Sequence, residues 1–178
     1  MSEIDYDLLI MNTSKGNAEA FKELYLNLKD AVYALSLSIS GSYSIAEDIM
    51  QDTFLRVRTN AQNYVPKGFG KAWVLKIARN NALNFLRSNK RLSYTDDSFA
   101  NLTYEEQAFE QIADSLLLRE VTGTLNKEQR EVILLKAIDS FTFEEIADIV
   151  DSPVGTVKWR YHQAMKKMKK YLQSMERM

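Results

Sequence analysis

The stretch from Phe141 to Leu172 constrains this chain most. Two helical patterns stand there, separated by three residues that end one and begin the other. Thr142 followed by Glu145 is a capping box, in which hydroxyl and carboxylate each satisfy a free backbone N–H. Ile146, Ala147, Ile149 and Val150 then form one apolar face. Asp151-Ser152-Pro153 stops that helix. Ser152 is expected to cap the next one, with Pro153 in its first position, where a missing N–H is harmless. Val157, Tyr161, Ala164, Met168 and Tyr171 recur at three- and four-residue spacing, which predicts one buried stripe.

The opposite face carries Lys158, Trp159, Arg160, His162, Gln163, Lys166, Lys167, Lys169 and Lys170. No acidic residue occurs between Ser152 and Met175. Solvated helices normally mix charge signs for pairing, so an acid-free face argues against simple solvation. The pattern predicts a helix-turn-helix whose second helix fits a DNA major groove. Gly155 and Thr156 lie in its first turn, where free N–H groups and the helix dipole favour a phosphate. The alternative is an ordinary helical hairpin with a solvated basic face.

The rest of the composition agrees with an all-α chain. Of 178 residues only two are proline and six glycine, and 46% are hydrophobic. There is no cysteine, which excludes disulfides and thiolate metal sites and suits a reducing cytoplasm. The acidic start (Glu3, Asp5, Asp7) lacks a signal-peptide pattern, and no apolar run reaches the ~18 residues of a membrane span. The only histidine is His162, so neither a histidine triad nor a multi-histidine metal site can be built. No glycine-rich phosphate loop is present. The expectation is a cytoplasmic protein without enzymatic chemistry, cofactor, metal or membrane insertion.

A net charge of −1 conceals a strong segregation. Nine basic residues and no acid lie between Thr53 and Thr95. Acids dominate from Asp96 to Asp151, and the chain is basic again after Ser152. Two positive surfaces with an acidic middle point to nucleic acid at two places.

In chain order, Ile4–Met11 predicts a short helix, and Asn17 can cap the long one marked by Phe21, Leu24, Leu28, Val32, Leu35 and Ile39, ending at Gly41. Ser44 and Glu47 predict a second capping box. The helix after it turns Ile45, Ile49, Met50, Phe54 and Val57 inward and Glu47, Asp48, Gln51 and Asp52 outward. That acidic face suits a protein partner; spacing alone allows solvation equally. The polar segment from Thr59 to Gly70 holds Asn60, Gln62, Asn63, Tyr64, Lys67 and Phe69, groups that stack on and hydrogen-bond to unpaired bases. A plain connection would also serve there. A basic helix from Lys71 to Arg91 follows, with Lys76, Arg79, Asn80 and Arg87 off its packing face. The aperiodic stretch Leu92–Leu102 predicts an interdomain linker. Tyr104–Thr124 predicts a helix, and Asn126 caps another containing Val132, Ile133, Leu135 and Ile138.

Three motifs together resemble one family. Ala46–Arg56 (AEDIMQDTFLR), Lys71–Asn80 (KAWVLKIARN) and Pro153–Lys158 (PVGTVK) resemble, in order and spacing, those of bacterial sigma factors of the extracytoplasmic-function type. The resemblance runs from about Asn12 to Leu172. It implies an all-α fold of two small helical domains: a region 2-like domain over 1–91, a flexible linker over 92–103, and a region 4-like helix-turn-helix domain over 104–178. It implies core RNA polymerase as partner, with Glu47, Asp48, Gln51 and Asp52 facing the β′ clamp helices and region 4 meeting the β flap. Asn60, Asn63, Tyr64, Lys67, Phe69, Lys76, Arg79, Asn80 and Arg87 would melt and read the minus-ten element as single strands. Gly155, Thr156, Lys158, Trp159, Arg160, His162, Gln163, Lys166 and Lys167 would read the minus-thirty-five element as duplex. An anti-sigma factor is a further partner that the resemblance admits.

Two other readings fit parts of the sequence. A stand-alone helix-turn-helix regulator would carry a sensing or dimerising first half, and a helical adaptor would only join proteins. A sensor domain has no need of a basic, aromatic first half, which favours the sigma-factor reading.

Overall fold

The computed structural model describes residues 4–93, 123–139 and 141–175, and every regular element among them is helical. They are α1 (Tyr6–Ser14), α2 (Ala18–Ser40), α3 (Tyr43–Asn60), a 3₁₀ turn (Ala61–Asn63), α4 (Gly70–Ser93), α5 (Lys127–Asp139), α6 (Phe143–Val150) and α7 (Val154–Met175). The expected linker over 92–103 and the expected helix over Tyr104–Thr124 fall largely outside the described residues.

Local chemistry sets most boundaries. Asp5 accepts from the Leu8 N–H at 2.9 Å and starts α1, and Asn17 accepts from the Ala20 N–H at 3.1 Å and starts α2. Gly41 closes α2 in the left-handed conformation, φ 72°, with its N–H on the Leu37 carbonyl. Asn126 and Gln129 cap α5 reciprocally: the Gln129 N–H donates to Asn126 Oδ1 and the Asn126 N–H to Gln129 Oε1. The Thr142–Glu145 box caps α6 as expected.

Two caps differ from expectation. Ser44 does not start α3. Gly41 turns the chain so sharply that only Ser42 is extended, and the Ser42 carbonyl already accepts from the Ala46 N–H at 2.8 Å. Ser152 does not cap α7 either. Asp151 ends α6 in the left-handed conformation, φ 53°, and the Ser152 N–H bonds back to the Ala147 carbonyl at 3.0 Å. The cap position falls to Pro153, whose carbonyl accepts from the Val157 N–H. Proline has no donor to leave unsatisfied there, as it would have had none one position later.

Packing is continuous from the first half to the second. Leu24, Leu28, Val32 and Leu35 of α2, Ile49, Phe54 and Val57 of α3, and Val74, Leu75, Ala78 and Ala82 of α4 are buried together. The buried Asn81 amide donates to Thr53 Oγ1 inside this bundle, so this polar side chain of α4 is satisfied by α3. The same core continues into Val132, Leu134 and Leu135 of α5, Phe141, Ile146 and Ile149 around α6, and Val157 of α7. α4 packs on α6 and α2 on α5. Among the described residues, one buried cluster runs through both halves. Each fully buried Leu, Ile or Phe contributes about 1.5–3 kcal/mol by leaving water, enough for a few such residues to hold two small bundles together.

Candidate nucleic-acid and polymerase interfaces

α7 presents the face that the sequence predicts. Val157 and Ala164 are fully buried and Tyr161, Met168 and Tyr171 half-buried, which fixes the roll of the helix. Lys158, Trp159, His162, Lys166, Lys169 and Lys170 are therefore exposed, Trp159 at 61%. Gly155 is exposed at the helix start, and a Cβ there would meet nothing within 4 Å. Thr156 and Gln163 are half-buried. Arg160 is half-buried too, and it donates to Ser152 Oγ at 3.3 Å, tying the helix back to the turn before it. Lys158 lies 3.8 Å from Glu144 and over the Phe143 ring. Lys167 donates to Gln129 Oε1 at 3.0 Å, so this cation braces α7 against α5.

On α3, Glu47, Asp48 and Gln51 are exposed and Asp52 is half-exposed, with Leu55 apolar and exposed beside them. Asp52 accepts from Arg56 at 2.7 Å, one turn along. The acidic strip is thus a solvent face with one internal ion pair, carried on a helix whose other side is locked by Ile49, Thr53, Phe54 and Val57.

The segment from Asn60 to Phe69 folds over α1, held by Asp7, a residue that no local sequence pattern singles out. The Asp7 carboxylate accepts from the Tyr64 hydroxyl at 2.7 Å, the Gly68 N–H at 2.8 Å and the Gly70 N–H at 2.7 Å. Burial pushes the Asp7 carboxyl up, but these bonds, with one from the Lys67 backbone, outweigh it and hold it below the usual carboxylate range. Burial, then the bond to Asp7, raises the Tyr64 hydroxyl well above an ordinary tyrosine. The Tyr64 ring packs on Trp73, centroids 4.9 Å apart. Tyr64, expected as a stacking platform, is half-buried, with its ring on Trp73 and its hydroxyl on Asp7. Asn60, Asn63, Lys67 and Phe69 are exposed, Phe69 at 41%.

Along α4, Asn80 and Arg87 are exposed, whereas Lys76 and Arg79 are not free. Arg79 forms a two-pronged pair with Glu131 of α5. Lys76 donates to Asp148 of α6 at 3.2 Å and lies 3.9 Å from Asp151. Lys71 stands 4.3 Å over the Phe141 ring. The acidic middle of the chain thus supplies partners to the basic helix. No sequence spacing signals these pairs, because they cross between halves.

Among the described residues, no helix is long and apolar enough to cross a membrane. Comparisons with known proteins agree with this geometry. The sigma-70 region 2 family model matches residues 24–92, and the sigma-70 region 4 model matches residues 115–168. The ECF RNA polymerase sigma factor SigW of Bacillus subtilis is 29% identical over 179 residues, covering 93% of this chain and 96% of that protein. The ECF RNA polymerase sigma factor SigK of Mycolicibacterium vanbaalenii is 28% identical over 176 residues, covering 94% and 89%. Among solved structures, CnrH in complex with the cytosolic domain of CnrY has the same fold, with a TM-score of 0.70 at 24% identity over 96% of this chain and 99% of that one. RpoE of Bartonella quintana in complex with the anti-sigma factor NepR gives a TM-score of 0.69 at 24% identity, over 88% and 98%.

Proposed function

The chain belongs to the sigma-70 family as an extracytoplasmic-function sigma factor, and from that premise we propose a division of labour among its surfaces. The chain binds core RNA polymerase and directs it to specific promoters. The face of Glu47, Asp48, Gln51 and Asp52 docks on the β′ clamp helices, and the region 4 helices meet the β flap. Asn60, Asn63, Lys67, Phe69, Lys76, Arg79, Asn80 and Arg87 capture the minus-ten strand as the duplex opens. Tyr64 serves from beneath, as part of the scaffold of its loop. α7 enters the major groove of the minus-thirty-five element. The work is binding and strand opening in the cytoplasm, with no catalytic chemistry, cofactor or metal of its own. The region 2-like half spans 1–91 and the region 4-like half 104–178. An anti-sigma factor is proposed as a further partner, by analogy with RpoE and NepR.

The observation that carries this reading is the outer face of α7. A helix that buries Val157 and Ala164 must present Lys158, Trp159, His162 and Lys166 together, without an acid among them. The test is reconstitution. The chain mixed with core polymerase should co-purify with it and support initiation from its own promoter, where core alone does not. A chain that binds duplex promoter tightly by itself, as a dimer, and ignores core polymerase would instead be a stand-alone regulator.

A further inference from the structure

Asp7 lies outside every motif and outside the stretch matched by the region 2 model. It nevertheless makes the contacts that shape the loop between the 3₁₀ turn and α4. One oxygen, Oδ1, takes both the Tyr64 hydroxyl and the Gly70 N–H; the other, Oδ2, takes the Gly68 N–H. Both ends of the loop and its turn are thereby gathered on one carboxylate, about 60 positions away in sequence.

The loop's glycines fit that arrangement. Gly68 is left-handed, φ 79°, which aims its N–H at Oδ2 without a side-chain clash. Gly70 is extreme for a different reason. A Cβ there would stand 2.7 Å from Asp7 Oδ1, 2.8 Å from the Tyr6 carbonyl carbon and 2.9 Å from the Asp7 nitrogen. The start of α4 touches the backbone of α1, and only glycine allows it. With the underside so fixed, Val65, Lys67 and Phe69 are left on the outside.

We propose that Asp7 is a positioning residue for base reading: its carboxylate sets the shape in which residues 63–69 meet an unpaired minus-ten base. The proposal rests on the reading of this loop as the minus-ten contact. Asp7 itself touches no base. Its carboxylate stays charged, with the Tyr64 hydroxyl and the Gly68 and Gly70 N–H groups turned toward it beneath the loop. A loop released from Asp7 keeps Lys67 and Phe69 and hence keeps charge and stacking area. It loses the fixed spacing between them, so discrimination among bases should fall further than total affinity.

The experiment uses holoenzyme and fork promoters whose minus-ten strand is already single. Each of the four bases is placed at each minus-ten position, and the ratio of tightest to weakest binding is measured. Asp7→Ala should lower that ratio about tenfold at one position or more, while affinity for core polymerase and for duplex minus-thirty-five DNA stays at the wild-type value. Asp7→Asn keeps one acceptor oxygen but cannot accept from the Gly68 N–H, and should fall between. Tyr64→Phe removes a single donor and should lower the ratio several-fold; it carries the test if Asp7→Ala fails to fold. Ratios unchanged in Asp7→Asn and Tyr64→Phe, with Lys67→Ala and Asn63→Ala lowering them, would overturn the positioning role and leave the loop reading intact. Ratios unchanged in all of these variants, with core binding normal, would overturn the loop reading and this proposal with it.

Discussion

Arg79 of α4 and Glu131 of α5 form a fork-to-carboxylate pair, Nε donating to Oε1 and Nη2 to Oε2, although 52 positions separate them. Their side chains are only 18% and 13% exposed. At that burial the pair is shielded from salt, and either partner alone would be an uncompensated charge. Arg79→Ala and Glu131→Ala should each destabilise the free chain, and a double-mutant cycle in urea should give a coupling of about 1–3 kcal/mol. Purely additive effects would mean that the halves do not hold each other in solution.

The same guanidinium cannot serve Glu131 and a promoter strand at once. Glu131→Gln should therefore raise the affinity of the free chain for a single-stranded minus-ten oligonucleotide several-fold. Asp148→Asn should do the same through Lys76. Titration of both variants by fluorescence anisotropy, against wild type and Arg79→Ala, decides it; equal affinities for wild type and Glu131→Gln would show that the pair does not compete with DNA.

The two halves also predict a proteolysis result. The polar, aperiodic sequence of Leu92–Leu102 should be cut first in brief digestion. The two fragments should then elute together, because Leu75 and Ala78 of α4 share their core with Ile146 and Ile149 of α6. Fragments that separate at once on a sizing column would contradict a shared core.

What the sequence made legible follows from the range of each interaction. Caps that act over three residues, at Asn17, Asn126 and Thr142, were readable because donor and acceptor are sequence neighbours. So was the roll of α7, fixed by the Val157–Ala164 stripe. Ser44 and Ser152 misled because a residue type that caps helices does so only where the preceding turn leaves it extended, and the left-handed Gly41 and Asp151 decided that. The bond from the Tyr64 hydroxyl to Asp7 leaves no local signal, because the two residues are 57 positions apart. The pairs of Lys76 and Arg79 were invisible for the same reason. Contacts across long separations leave no periodicity.

Asp7 gives a pH signature. Its carboxyl titrates below the ordinary aspartate value of 3.8 in the folded chain. A depressed folded pKa means stability that is fully present above about pH 4 and is lost as pH falls through the folded value. Asp7→Asn should therefore unfold more easily in urea than wild type at pH 7, and the gap should close as the pH drops below 4. A gap that stays constant down to pH 2 would mean that the charge of Asp7 contributes nothing to the loop.

α7 separates two kinds of DNA contact. Arg160 is half-buried and already held by Ser152, so its guanidinium is preset in direction rather than swinging freely. A preset fork suits a two-pronged contact to guanine in the major groove, and Gln163, half-buried one turn on, suits adenine. Lys166 is exposed and unconstrained in direction, as a phosphate contact requires. Arg160→Ala should cost about 1–3 kcal/mol and relax preference at one base position. Lys166→Ala should weaken all promoters alike and lower the salt slope by about one unit. Lys167 differs from Lys166 because it donates to Gln129; Lys167→Ala should lower the melting temperature as well as DNA affinity. Holoenzyme binding to promoters randomised across the upstream element, at several salt concentrations, measures the three DNA effects, and a thermal melt of the free chain measures the stability effect of Lys167→Ala. If Arg160→Ala shifts every sequence equally, the residue belongs with the phosphate contacts. The base-reading role on α7 would then pass to Gln163 and to Trp159, an exposed apolar ring of the kind that suits a thymine methyl.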